Sequence, residues 1–207
     1  MPRLVDLSHS FTDHMPVYPG DESPRFIRTH EFVRDGYNNY RLSTGMHIGT
    51  HIDGPMHLTE REQYLDEISI ERFAGIGCLV YAVGEPVVRR KPKYESLVER
   101  SSIVLVYTGW SHLFGKEEYY RNYPVLSMEV AKMFVEKRVK MVCLDSPSPD
   151  REPYEVHKFL FAHDILVAEN LTGIEQLSPV QRFEVFAFPL RLHADSSPAR
   201  IIARILE

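Results

Sequence analysis

The 207-residue chain contains 43% hydrophobic and 26% charged residues, close to the average of globular proteins, which excludes a disordered or fibrous protein. Its formal net charge is −5 and no stripe of Lys and Arg alternates with aromatic residues, which argues against a nucleic-acid-binding protein. Two cysteines are too few for a disulfide framework, and no apolar run reaches the roughly 18 residues that a membrane span needs.

The length and the even composition of the chain predict one domain over residues 1–207, because no linker, repeat or low-complexity segment divides it. The first residues lack the charged leader and long apolar core of a secretory signal, so we expect a cytoplasmic protein. A domain of this size buries enough apolar surface to fold without disulfides or a structural metal. A metal bound to this chain would therefore serve a purpose other than folding.

Short apolar runs rich in β-branched residues recur along the chain and predict strands. Runs of this kind, without alternating polar residues, are typical of strands that are buried on both faces. The predicted strands cover residues 4–7, 77–83, 103–107, 140–144, 165–168 and 183–188.

Two helices are predicted between these strands. Ser127 is a favourable N-cap for the first, and apolar residues follow it at helical spacing. Pro153 is expected to open the second, whose apolar stripe includes His157. The alternation of strand and helix between residues 103 and 168 predicts βαβ units, hence an α/β architecture. The first 60 residues are polar and turn-rich and show no clear helix.

One short segment concentrates groups that bind metals. His47, His51, Asp53 and His57 all occupy odd positions, whereas the even positions between them are mostly apolar. Alternate residues of an extended chain share a face, so these side chains would line one side of the segment. Two glycines, β-branched residues and Pro55 argue against a helix. Because burying unpaired polar groups is costly, the pattern predicts a metal site.

The spacing of these ligands requires the segment to curl. A straight strand would place His47 and His51 roughly 13 Å apart at Cα, near the limit for two imidazoles sharing one ion at bonds of about 2.1 Å. Gly49 and Gly54 provide the backbone freedom for a curl. Two histidines and a carboxylate do not identify the metal, since the same set suits zinc hydrolases and iron oxygenases.

The pattern His47-x-Gly-Thr-His51-x-Asp53-x-Pro55-x-His57 resembles the signature of the cyclase-like metal-dependent hydrolases, the family of bacterial kynurenine formamidase and isatin hydrolase. The resemblance implies an α/β fold in one domain, a mixed sheet with flanking helices similar to the swivelling β/β/α fold of the family. It extends over almost the whole chain, through residues 5–9, 15–21, 107–110, 144–148, 168–171, 189–191 and 197–200.

The resemblance also implies a set of metal ligands. The five residues that match are His47, His51, Asp53, His157 and Glu169. Glu169 directly follows a predicted buried strand, where packing explains a carboxylate poorly. His163 competes with His157 for the ligand role, but it lies near the end of the predicted helix, where a histidine often caps carbonyl groups.

The cofactor implied by the resemblance is a divalent metal. Zinc is favoured, as one ion or as two ions bridged by Asp53, and manganese is the alternative, because imidazole and carboxylate ligands accept either metal. The family further implies a homo-oligomer, a dimer or higher, and a small-molecule amide or lactam as the substrate. Neither nucleic acid nor a membrane is expected as a partner.

The activity implied by the resemblance is amide hydrolysis, most closely that of an arylformamidase that converts N-formylkynurenine to kynurenine and formate in tryptophan catabolism. A bound metal activates water and polarises the carbonyl in such a reaction. His57 resembles the family's general acid and base, with a further ligand role as the alternative. Tyr18 and Trp110 are candidates for binding the substrate ring.

Three other functions stay open at this point. The first is the opening of isatin-like lactams or of other cyclic amides and lactones. The second is an iron oxygenase that uses only His47, His51 and Asp53. The third is a metal-binding protein without activity.

Overall fold

The computed structural model describes residues 3–206, and most of its regular structure consists of strands. The strands within this range are β1 (Leu4–Asp6), β2 (Arg25–His30), β3 (Asn39–Ser43), β4 (His51–Asp53), β5 (Ala74–Tyr81), β6 (Val87–Val88), β7 (Ile103–Tyr107), β8 (Val125–Leu126), β9 (Met141–Leu144), β10 (Leu166–Glu169), β11 (Phe183–Pro189) and β12 (Ser196–Ile205). The α-helices are α1 (Phe32–Asp35), α2 (Pro92–Leu97), α3 (Met128–Glu136) and α4 (Glu155–Ala162).

Eight strands form one mixed sheet in the order β1-β12-β11-β5-β7-β9-β10-β4, and β4 also pairs with β12. Strands β5, β7, β9 and β10 run parallel, and the other pairings in the sheet are antiparallel. Because β4 pairs with β10 on one edge and with β12 on the other, the sheet closes on itself like a barrel. The predicted α/β fold with a mixed sheet is confirmed.

The parallel strands are buried on both faces, as their apolar runs predict. On β7, Val104 and Val106 belong to an outer core that the sheet forms with α3 and α4. Ile103 and Leu105 of the same strand belong to an inner core enclosed by the barrel. The sheet therefore separates two apolar layers, and a side chain's place in the alternation decides which layer it enters.

Helix α3 agrees with its prediction. The Ser127 hydroxyl oxygen accepts the N–H of Val130 at 3.3 Å, and Met133 and Phe134 lie buried in the outer core. Helices within residues 3–206 are short, and none has the length and apolar composition needed to cross a membrane.

The start of α4 differs from its prediction. The helix begins at Glu155, while Pro153 lies outside it and Tyr154 has a left-handed φ of 61°. The Asp150 carboxylate accepts the N–H of Val156 at 2.6 Å and so satisfies one of the free amides of the first turn. The apolar stripe identified the helix, but its cap comes from a residue several positions upstream.

The longest strand, β12, was not predicted. It begins with Ser196 and Ser197, contains Pro198 and alternates buried with more exposed positions, so it shows no continuous apolar run. It nevertheless lies at the junction of the barrel, because β11, β4 and β1 all pair with it. The hairpin of β2 and β3 was also missed, because most of its residues are exposed and carry no apolar pattern toward a core.

The contact of Gly77 on β5 with Phe183 on the adjacent strand β11 gives a test of this packing. A Cβ at Gly77 would lie 2.0 Å from Cε2 of Phe183. We expect Gly77→Ala to lower the free energy of unfolding by about 1–3 kcal/mol, because the ring must move or the strands must separate. Urea unfolding measures the difference. Gly45→Ala is the matched control, since its Cβ would have its nearest neighbour at 3.6 Å; equal midpoints for the two variants would contradict the packing.

Candidate metal centre

The pairing of β4 with β10 brings three donor side chains onto one face of the sheet. His51 lies opposite Glu169 and Asp53 lies opposite Val167. Since Val167 belongs to the outer core, the alternation directs His51, Asp53 and Glu169 toward the same side as α4. His157 is buried on α4, and its Nε2 lies 3.2 Å from Oε1 of Glu169. Two strands and one helix thus build the centre.

Four buried atoms of this centre have no hydrogen-bond partner within residues 3–206: His51 Nε2, Asp53 Oδ1, His157 Nε2 and Glu169 Oε1. They nevertheless face one another, with His51 Nε2 lying 3.4 Å from Asp53 Oδ1. The four residues are only 1–6% exposed. Because buried polar atoms nearly always have partners, and imidazole and carboxylate are ligands for divalent metals, these residues fit a metal ion.

The pKa values of these groups show that the centre attracts positive charge. Burial raises the pKa of Asp53, but His51 and His47 outweigh it and hold that pKa well below its usual range. Burial lowers the pKa of His157, but its hydrogen bond with Asp150 and the nearby carboxylates of Glu169 and Asp53 raise it to about 9. A divalent cation would supply positive charge to these carboxylates with the imidazoles in their neutral, ligating form.

The remaining ring nitrogen of each buried histidine is fixed by an oxygen. Nδ1 of His51 lies 2.8 Å from the carbonyl oxygen of Gly49, and Nδ1 of His157 lies 3.0 Å from Oδ1 of Asp150. Metal-binding histidines are commonly oriented in this way by a carbonyl or a carboxylate. In both rings the arrangement leaves Nε2 facing the centre.

The segment that carries the histidine cluster is curled, as its ligand spacing requires, but its form differs from the prediction. Only His51–Asp53 is a strand, and Pro55–His57 forms a 3₁₀ turn, so the single extended face predicted for the whole segment is wrong. Gly49 has a φ of 65° and turns the chain. Gly54 has an extended φ of −94°; its lack of a side chain instead allows close approach, because a Cβ would lie 3.0 Å from the carbonyl oxygen of Asp195.

His47 and His57 lie beside the buried donors and share the carboxylate of Asp195. Nδ1 of His47 lies 2.9 Å from Oδ1 of Asp53, and its Nε2 lies 2.9 Å from Oδ2 of Asp195. Nδ1 of His57 lies 3.3 Å from the same Oδ2. Hydrogen bonds to His47 and His57 hold the pKa of Asp195 well below its usual range. Asp53 therefore belongs to two donor groups, one with His51 and Glu169 and one with His47 and His57.

Two carboxylates that organise this centre were not predicted. Asp150 orients His157 and also accepts N–H groups at the start of α4. An Asp shortly before a predicted helix is a recognised cap signal, which could have identified it. Asp195 directly precedes β12, and no local pattern marks it, because its partners His47 and His57 are distant in the sequence.

A cavity of about 240 Å³ adjoins the centre, and His57 and Tyr18 are among the residues that line it. Trp110 is not among the described residues of the lining. Its indole N–H donates to the carbonyl oxygen of Tyr119 at 2.8 Å, and its backbone N–H donates to Asp145 at 2.9 Å. The structure thus brings the predicted metal ligands, His57 and Tyr18 together and leaves Trp110 in a neighbouring turn.

With the closed mixed sheet and its centre of imidazoles and carboxylates described, the sequence can be compared with those of known protein families. The family described as putative cyclase matches residues 5–151, a range that includes the histidine cluster, and the chain belongs to this family. The predicted family resemblance is therefore confirmed.

Individual relatives extend this match to the whole chain. Kynurenine formamidase of Erythrobacter litoralis is 29% identical over 214 residues, which cover 99% of this chain and 94% of the relative. Isatin hydrolase A of Labrenzia aggregata superposes with a TM-score of 0.88 at 21% identity, covering 100% of this chain and 94% of that one. A potential metal-dependent hydrolase with cyclase activity gives a TM-score of 0.82 at 23% identity, with 100% of both chains covered. The two solved structures share the fold.

The two histidines of the α4 region provide a test of the metal centre. His157→Ala is expected to weaken binding of zinc or manganese by at least about tenfold, because loss of a donor costs at least as much as loss of a group that orients one. Calorimetric titration and metal analysis of protein purified without chelator measure the change. His163→Ala is the matched control, since His163 lies exposed at the end of α4 with Nδ1 2.8 Å from the Phe159 carbonyl oxygen. Equal metal content in both variants would remove His157 from the ligand set.

Proposed function

We propose that this chain is a divalent-metal-dependent amide hydrolase of the arylformamidase type, which cleaves N-formylkynurenine or a related aryl formamide into an arylamine and formate. The observation that carries the proposal is the set of four buried donor atoms without partners beside a cavity that His57 lines. The whole-length similarity to kynurenine formamidase supports the choice of a formamide as substrate.

The proposed ligands are His51, Asp53, His157 and Glu169, with His47 beside them. A divalent cation held there would acidify a water molecule and polarise an amide carbonyl, which are the two effects that hydrolysis at neutral pH needs. Zinc and manganese both suit this donor set. Because Asp53 belongs to two donor groups, one with His51 and Glu169 and one with His47 and His57, the centre could bind one ion or two.

His57 is the proposed proton carrier. Hydrolysis adds the oxygen of water to the formyl carbon, breaks the C–N bond and places a proton on the departing amine. Contact of Nδ1 with Asp195 orients the ring and leaves Nε2 for proton exchange at the cavity. Asp195 acts as a positioning residue, because one of its two carboxylate oxygens, Oδ2, contacts both His57 and His47.

An iron oxygenase needs only two histidines and one carboxylate, with open positions for oxygen and substrate. Here His157 and Glu169 contribute further buried donors to the same centre, with His157 Nε2 3.2 Å from Glu169 Oε1. A centre with these additional donors leaves fewer open positions for oxygen and substrate on a bound ion, and this favours the hydrolase over the oxygenase.

The first test is hydrolysis of N-formylkynurenine, followed by absorbance, before and after chelation. We expect turnover that a chelator abolishes and that zinc or manganese restores, because the acidified water depends on the cation. Recovery with one ion and not with the other would identify the active metal. Metal-replete protein that opens isatin but leaves the formamide intact would assign the site to cyclic amides, and metal-replete protein without either activity would contradict the proposal.

The second test separates proton transfer from metal binding. His57→Ala is expected to lower kcat by about 10²–10⁴-fold, the usual contribution of a general acid or base, while the bound metal stays unchanged. His193→Ala serves as the control, because His193 is exposed and stacks on Tyr64 outside the cavity lining. Loss of metal together with activity in His57→Ala would make this residue a ligand instead.

A further inference from the structure

Asn170 directly follows the proposed ligand Glu169, and its backbone groups are bound to two other parts of the chain. Its N–H donates to the carbonyl oxygen of Ser146 at 3.1 Å, and its own carbonyl oxygen accepts the Thr50 hydroxyl at 2.7 Å. The residue is only 6% exposed and has a left-handed φ of 57°, which asparagine adopts more readily than most residues. The surrounding chain thus fixes both the position and the backbone conformation of Asn170.

The side-chain amide of Asn170 links Tyr119 to the turn that precedes His51. Its Nδ2 donates to the carbonyl oxygen of Gly49 at 3.1 Å, and its Oδ1 accepts the hydroxyl of Tyr119 at 2.8 Å. The same Gly49 oxygen lies 2.8 Å from Nδ1 of His51. One carbonyl oxygen therefore connects the proposed ligand to Asn170, and the amide of Asn170 connects it to Tyr119.

The direction of each hydrogen bond in this series follows from the Gly49 carbonyl. A carbonyl oxygen can only accept, so Asn170 Nδ2 and His51 Nδ1 must both donate to it. The amide oxygen then faces Tyr119, whose hydroxyl donates, and burial holds the pKa of Tyr119 well above its usual range, which keeps that hydrogen in place. With its hydrogen on Nδ1, a neutral His51 has its lone pair on Nε2, the atom that faces the metal centre.

The Gly49 carbonyl lies in a turn and not in a strand. Gly49 has a φ of 65°, and β4 begins only at His51. Glycine adopts both positive and negative φ, so the peptide plane here has more freedom to rotate than in the sheet. Rotation would carry the carbonyl oxygen away from His51, and the hydrogen bond from Asn170 Nδ2 opposes it.

Tyr119 is itself held at its backbone and at its ring. Its carbonyl oxygen accepts the indole N–H of Trp110 at 2.8 Å, and its ring packs edge to face on Phe114 with centroids 5.2 Å apart. The residue is fully buried and is not among the described residues that line the cavity, whereas Asn170 lines it. Tyr119 can therefore influence the metal centre only through the residues between them.

We propose that Asn170 and Tyr119 are positioning residues for metal binding, which hold the Gly49 carbonyl and through it fix the orientation and the hydrogen position of His51. The inference rests on the metal centre of the proposed function, but it does not depend on which substrate is cleaved. The strength of metal binding should consequently depend on a tyrosine hydroxyl that contacts no proposed ligand.

The test measures metal affinity without substrate, by competition between the zinc-loaded or manganese-loaded protein and a chelator. Asn170→Gly removes the amide and allows the left-handed backbone, and it should weaken metal binding by about tenfold or more, as is usual when a group that orients a ligand is lost. Tyr119→Phe removes only the hydroxyl and should weaken it by about three- to tenfold, because the amide stays but is less well oriented. Wild-type affinity in Asn170→Gly would overturn the proposal.

Each variant has a matched control. Tyr94→Phe also removes a buried hydroxyl, which donates to the carbonyl oxygen of Tyr81 at 2.9 Å, but this tyrosine lies on α2 and belongs to the outer core. Asn122→Gly replaces an exposed asparagine with a left-handed φ of 52°. Both controls should keep the wild-type metal affinity, and a loss in Tyr94→Phe equal to that in Tyr119→Phe would overturn the proposal.

The variant that combines Tyr119→Phe with Asn170→Gly separates positioning from a merely structural role. If Tyr119 acts through Asn170, the combined variant should bind metal as Asn170→Gly does, within about twofold. Independent effects would multiply the two losses, and that result would overturn the proposal. Urea unfolding after chelation gives the contrasting measurement: Tyr119→Phe and Tyr94→Phe should both lower the midpoint, because each loses a buried hydrogen bond.

The same measurements distinguish failure of the positioning role from failure of the proposed reaction. If the protein binds metal but cleaves no formamide, and Tyr119→Phe and Asn170→Gly weaken metal binding as expected, the positioning role stands and the formamidase assignment falls. If formamide is cleaved and both variants keep the wild-type metal affinity, the positioning role falls and the proposed function stands. Wild-type protein that binds neither zinc nor manganese would overturn both.

Discussion

The antiparallel register between β4 and β10 is the constraint on which the metal centre depends. It places His51 opposite Glu169, and so brings two donors from distant parts of the sequence to adjacent positions on one face. A slip by one residue would turn His51 and Asp53 toward the inner core, where Ile52 and Ala168 now lie. Because β4 also joins β12, the same three residues close the barrel and carry two of the proposed ligands.

This arrangement places ionisable carboxylates in the buried interior, where an ionised group is unfavourable. Asp53 and Glu169 are almost fully buried, and withdrawal of an ionised group from water costs several kcal/mol unless a counter-charge compensates for it. Nδ1 of His47 lies 2.9 Å from Asp53 Oδ1 and Nε2 of His157 lies 3.2 Å from Glu169 Oε1, but neither contact within the described residues has the geometry of a hydrogen bond. A cation that binds only the folded centre would raise the stability of the fold as well as supply chemistry.

The sequence predicted what depends on local patterns. Apolar runs located the parallel strands, and helical spacing located α3 and α4, because burial imposes these periods directly. The ligand set came from the histidine cluster and from a family resemblance. Asp195 could not be predicted, because it reaches its histidine partners only when β12 pairs with β4. The strand that follows it begins with Ser196, Ser197 and Pro198 and shows no alternating apolar pattern at its start. Trp110 was misleading for a related reason: a tryptophan after a strand fits a pocket or a turn equally well, and Asp145 draws it into the turn.

The two edges of β4 also bear on the order in which the centre can assemble. His51 reaches its partner Glu169 only when β10 pairs with β4, and His47 and His57 reach Asp195 only when the start of β12 is in place. Contacts between residues so far apart in sequence form late in folding, since long loops must close first. During synthesis from the N-terminus, the histidine cluster therefore leaves the ribosome long before its partners do. Until they emerge, His47, His51 and His57 lack the carboxylates of Glu169 and Asp195, which lie beside them in the folded chain.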